Sequence, residues 1–283
     1  EMLSNAKKRF YKDKVSKLRN VNPKSWYRQL KCITKMGKNN DTPEVEDIKD
    51  YNDEEQAELI AESFAKISRE YEPLDRSAIN LPIIKEEDVL QVSESEVLEV
   101  LKSMDTNKAV PRNDVSTKIF KTFAEQLCGP ITMIINEAIL IGYWPEFLKI
   151  ETVTPVPKVS LPQTVDDLRK ICGLLNLSKI LEKVICKYLR RDMKGSLDKS
   201  QYANQKGLSI NHYLVKLVDR VLGALDGSAK GENTAVIATY LDWSKAFDRQ
   251  DPTLAIKSFQ DNGVRPSLIP LLMSFFEGRT MKV

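Results

Sequence analysis

The sequence predicts an α+β fold, mostly helical, with one small and incomplete sheet. Three observations carry that expectation. Most of the 283 residues fall into segments with apolar residues at helical spacing, several opened by a side-chain cap. A proline-bearing extended stretch, Thr152 to Lys158, is followed after a polar tip by DLRKICGLL, so the two read as arms of a hairpin. The run Ala235 to Leu241 is apolar except for Thr239, the pattern of a strand buried on both faces. Period-two geometry puts Val236, Ala238, Tyr240 and Asp242 on one face of that strand. A carboxylate at the end of a core strand is costly unless it is paired, hydrogen-bonded or bound to a metal. Asp242 is therefore the residue around which a function has to be built.

Taken in order, residues 1–40 are a basic arm with 12 lysines and arginines against 2 acids. Lys24 to Met36 places Trp26, Leu30 and Ile33 at helical spacing, with Arg28, Lys31 and Lys35 outside. This arm reads either as a solvated helical pair or as a phosphate contact. Residues 41–104 reverse the balance, with 19 acids against 6 bases. Here Asn52 and Glu55 form a capping box for a helix with Ile60, Phe64, Ile67 and Tyr71 on one face. Ser93 and Glu96 repeat the signal before Val97, Val100, Leu101 and Met104. These acids read as helix exteriors without chemistry.

The loop NKAVPRNDVSTKIF leads into a helix with Ile119, Phe120, Phe123 and Leu127, which Gly129-Pro130 is expected to stop. A second helix then buries Ile131, Ile134, Ile135, Ala138 and Ile139 and ends at Gly142. After the hairpin, Ser178 reads as the cap of an amphipathic helix through Ile180, Leu181, Val184, Ile185, Tyr188 and Leu189. Residues 198–210 form a turn-rich junction. Ser209 then opens a helix through Tyr213, Leu214, Leu217 and Val221, Asp251-Pro252 opens another that Gly263 ends, and Pro266 to Phe276 is the last. The end, Thr280 to Val283, has no closing cap, as though mid-domain.

Several classes are excluded on composition. The longest apolar stretch, Ile131 to Trp144, is interrupted by Asn136 and Glu137 and is too short to span a bilayer, so no membrane partner is expected. The first ten residues lack a signal-peptide core. Four cysteines without CxxC spacing and a single histidine argue against a zinc site and read as reduced thiols. An intracellular protein of cytoplasm and nucleus is expected.

The segment TYLDWSKAFDRQD resembles the first catalytic motif of reverse transcriptases, most closely those of non-LTR (LINE-type) retrotransposons. The segments NKAVPRNDVSTKIFK, GYWPEFLK with TVTPVPK, DLRKICGLLNLSKILEKVI and QYANQKGLSINHYLV are similar to successive blocks of that family, in the same order. The resemblance covers about residues 107–283, and the basic arm is similar to a linker that follows an upstream endonuclease. It implies a partial right-hand polymerase: a basic helical linker (1–45), an acidic helical segment (46–104), fingers (105–233) and the start of the palm (234–283). The implied activity is RNA-directed DNA synthesis by two-metal nucleotidyl transfer, with an RNA template, a DNA primer and deoxynucleoside triphosphates as partners.

In this resemblance Asp242 is the catalytic carboxylate and a Mg2+ ligand. Phe247, five residues on, stacks under the incoming sugar and selects deoxynucleotides, although as plain sequence it reads as core. Lys158 and Arg169 clamp the triphosphate from the two hairpin arms, as a point charge and a planar fork. Gln201, Asn204, Lys206 and Gly207 face template or primer. Asp248 reads as a second acid or, preferably, as a structural hydrogen-bonding group. The chain departs from the family pattern at Lys170, at Val110 to Asn113 and at Asn204-Gln205. It also contains one Asp-Asp pair only, Asp166-Asp167, which precedes the key strand. With no second carboxylate motif, the chain alone is expected to be inactive. The rival expectation is a non-catalytic nucleic-acid-binding remnant, and a helical scaffold binding protein partners is the third.

Overall fold

A computed structural model describes residues 44–283 except 69, 71, 109, 112, 113, 197, 206, 227–234 and 247, together with the isolated positions Lys12 and Trp26. Apart from Lys12 and Trp26, the basic arm lies outside the described residues, as do Phe247 and Lys206. Helices α1 (Asp53–Ser68), α2 (Glu94–Lys102), α3 (Thr117–Thr122) and α4 (Ala124–Ile141) come first. The hairpin β1 (Ile150–Pro157) and β2 (Leu168–Leu174) follows, then α5 (Asn176–Asp192), α6 (Ile210–Asp226), α7 (Pro252–Asp261), α8 (Ile269–Phe276) and a short β3 (Thr280–Lys282). The expected mixture of many helices and one small sheet is found.

The caps behave as the sequence dictates. Asn52 Oδ1 accepts from the Glu55 N–H at 3.0 Å while Glu55 Oε2 accepts from the Asn52 N–H at 3.1 Å. Ser93 and Glu96 close the same reciprocal box at α2, and Asp251 accepts from Leu254 N–H at α7. Two expected boundaries are corrected. The helix break falls at Phe123 (φ −102°, ψ 29°), and α4 runs unbroken through Gly129 and Pro130. The buried face Ala124, Cys128, Ile131, Ile135, Ala138 is continuous across Pro130, and that packing outweighs the ~3 kcal/mol an interior proline costs. Ser178 is not a cap: α5 begins at Asn176, and the buried Ser178 hydroxyl donates to the Leu148 carbonyl at 3.1 Å.

The main core is formed by α2, α4, α5 and α8 with the turns between them. Val97, Leu101, Leu148, Ile180, Val184, Leu268 and Leu271 are wholly buried there, and Trp144 meets Phe275 edge-on at 4.8 Å. Gly142 ends α4 in the left-handed conformation, as expected. A smaller core joins Val45, Ile48, Ile60 and Phe64 to Val153 and Leu168, seating the hairpin on α1.

The sheet has strand order β2-β1-β3, with β1 antiparallel to β2 and parallel to β3. The terminal strand β3, pairing Thr280 with Ile150 and Lys282 with Thr152, was not expected from the sequence. The run 235–242, expected as a buried strand, is not one. It carries no strand pairing, and Ile237, Leu241 and Trp243 are 89%, 86% and 81% exposed. A strand needs a neighbour for its backbone groups, and no described strand lies beside this segment.

Candidate functional site

The geometry begins with the hairpin. In β1 the pairs Val156 with Arg169 and Pro157 with Leu168 fix the register. The Lys158 N–H donates to the Asp167 carbonyl at 2.7 Å, so even-numbered amides point at β2 and the missing donors of Pro155 and Pro157 point away. Two prolines are thereby tolerated in a paired strand. The tip is held from below, because Pro162 and Gln163 carbonyls accept from the Glu46 and Asp47 amides at 3.2 and 3.1 Å. The Asp167 carboxylate accepts from the Gln163 and Thr164 amides, which stiffens the turn.

This tip presents Asp166 to two lysines. Lys158 Nζ donates to its backbone carbonyl, and Lys245 Nζ donates to its carboxylate at 2.8 Å. The hydrogen bond and charge of Lys245 hold the Asp166 carboxyl below the usual carboxylate range. Lys245 sits in a left-handed backbone (φ 52°), a conformation costing a non-glycine residue about 1–2 kcal/mol. Its carbonyl accepts from the Asp248 and Arg249 amides, which closes the turn of the LDWSKAFD segment. The structure thus brings the Asp242 motif to the hairpin tip, 79 residues earlier in the chain, through one ion pair.

Asp242 itself is exposed, as are Lys158 and Arg169. Gln201, Asn204 and Gly207 lie on a separate turn in which Asn204 (φ 57°) and Gly207 (φ 83°) take left-handed backbones. Tyr202 anchors that turn on α6, 5.8 Å from the Tyr213 ring and beneath Lys216 at 5.6 Å. Asp248 lines a cleft of about 1150 Å³ with Glu58 and Glu62 of α1, Glu151, Lys170 and Arg279. Glu151 and Lys170 pair there at 3.3 Å. Partial burial, then a hydrogen bond with Glu151, pushes the Cys172 thiol up to about 11, which favours the protonated thiol at neutral pH.

Sequence reasoning missed Asp166 and Lys245 as a pair. It also missed Lys149, buried at 5% exposure, with Nζ donating to Ser274 Oγ at 3.4 Å and its ammonium pushed down by burial. No local signal marks either, since both depend on contacts between distant segments. Among the described residues, no group of three or more His, Cys, Asp or Glu side chains is placed to hold a metal, and no helix is long and apolar enough to cross a membrane.

No protein-family model matches the chain. Comparison with curated proteins points to a class, the RNA-directed DNA polymerases of transposons, and supports a relationship to it. One similar protein is the probable RNA-directed DNA polymerase from transposon X-element of Drosophila melanogaster, 26% identical over 192 residues. The match covers 66% of this chain and 20% of that protein, so it spans about a fifth of the relative's length.

Proposed function

We propose that this chain is the fingers and opening part of the palm of a non-LTR retrotransposon reverse transcriptase, with Asp242 as a carboxylate of the polymerising centre. The observation that carries the reading is the similarity over 66% of the chain to a transposon RNA-directed DNA polymerase. The Lys245–Asp166 contact supports it, because that pair joins the motif turn to the hairpin whose arms carry the candidate triphosphate cations. In this reading Lys158 and Arg169 bind the triphosphate, Phe247 abuts the sugar, and Gln201, Asn204, Lys206 and Gly207 face template and primer.

The described residues do not fit a resident pair of magnesium ions. Asp242 is exposed, and among the described residues no group of three or more His, Cys, Asp or Glu side chains is placed to hold a metal. Asp242 is accordingly assigned as one ligand of a site completed by groups outside the described residues, and this chain alone is assigned no synthesis. The apolar run 235–241 would take up strand structure when a partner strand covers it, hiding side chains now in water. Reading the parent transcript past Val283 tests this. An in-frame apolar strand segment bearing two adjacent aspartates is expected. Neutral residues in that position would instead favour a nucleic-acid-binding remnant without catalysis.

A further inference from the structure

We infer that the outer face of α5 is a binding surface for the phosphodiester backbone of a nucleic-acid duplex, an inference that rests on the nucleic-acid reading above. Lys179, Lys183, Lys187 and Arg190 recur at intervals of four, four and three residues along α5, and Lys194 follows four residues on in the turn beyond it. At 100° per residue these positions share one face, while Ile180, Leu181, Val184, Ile185 and Tyr188 turn into the core. The four helical cations span about 16 Å at 1.5 Å per residue, roughly the axial length of five phosphates of one duplex strand.

The charges facing this row are few. Glu96 and Glu99 of α2 reach Lys187 at 3.4 and 3.3 Å, and Glu96 reaches Arg191 at 3.8 Å. Within α5, Asp192 is committed to Arg265, and Glu182 is half-buried to one side of the row. No ion pair with a described residue joins Lys183, Arg190 or Lys194 to a carboxylate. Like charges at this spacing oppose helix formation by a few tenths of a kcal/mol per pair. Arg190 and Lys194 do complement the α5 dipole, but Lys183 lies mid-helix where the dipole offers nothing. The row therefore costs stability and fits a polyanion.

The test is fluorescence anisotropy of the chain with a labelled RNA–DNA hybrid of about two helical turns, in 50–200 mM KCl. Lys183→Gln/Arg190→Gln/Lys194→Gln is expected to weaken binding at least tenfold at 100 mM and to reduce the log–log salt slope by about 3. Its melting temperature should hold or rise, whereas a purely structural role would lower it. Lys85→Gln/Lys102→Gln/Lys118→Gln, three exposed cations elsewhere, removes equal charge and should leave the slope within one unit of wild type. Wild-type binding with an unchanged slope in the α5 variant overturns this inference and leaves the polymerase reading standing. Equal losses in both triple variants overturn it as well. Absence of wild-type binding overturns both readings.

Discussion

Asp192→Asn is a demanding perturbation because the pair it breaks ties the end of α5 to the entry of the last helical segment. Asp192 is 8% and Arg265 32% exposed. Arg265 Nε and Nη2 donate to the two carboxylate oxygens at 2.8 and 2.6 Å, and the Arg265 N–H donates to Oδ2 at 3.1 Å. Asparagine keeps the shape but removes the charge and substitutes a donor for one acceptor. Breaking a fully buried pair costs about 3–5 kcal/mol, and the partly solvated guanidinium lowers that to about 2–3 kcal/mol here. For a chain of this size that is a fall of about 4–12 °C in Tm. The hydrogen bonds from Arg265 lower the Asp192 pKa on folding. The stabilisation is therefore present above the unfolded carboxyl pKa, near 3.8, and is lost as pH falls through the lower folded value. Melts followed by circular dichroism at pH 7 and pH 3 should show the wild-type advantage shrinking at pH 3. A difference under 0.5 kcal/mol at pH 7, or one that grows on acidification, would refute the reasoning.

Three further substitutions probe the frame. Gly142→Ala combines a left-handed backbone with a Cβ placed 2.5 Å from Pro270 Cβ, so a loss of about 2–5 kcal/mol by urea titration is expected. Leu101→Ala, at a wholly buried position where α2 meets α4 and α5, should cost about 2–5 kcal/mol in the same titration. Burial raises the Glu182 pKa, and its Oε1 is buried with no hydrogen-bond partner among the described residues. The charged form is thus penalised as pH rises above about 4.5. Glu182→Gln should melt higher than wild type at pH 8, and the gap should close below pH 4.

What the sequence disclosed follows the range of the interactions involved. Asn52 with Glu55, Ser93 with Glu96, Asp251 and Gly142 are local signals acting over three or four residues, and each works as its residue type dictates. The hairpin was legible because two prolines and a polar tip exclude helix. Helix α5 was legible in its apolar period but not in its start, because Ser178 is engaged by the distant Leu148 carbonyl. Pro130 misled for the same reason, since packing decided against local propensity. The LDWSKAFD resemblance is what proposes the candidate site, and the apolar run before it is exposed, because strand formation depends on a neighbour and not on composition. Nothing local could have revealed that Lys245 grips Asp166.

The central claim is best tested by magnesium-dependent primer extension on an RNA template, using the complete reading frame that contains this chain, wild type against Asp242→Asn. The account predicts DNA synthesis by the wild type and its loss in the variant, with duplex binding retained. Synthesis that survives Asp242→Asn would contradict it.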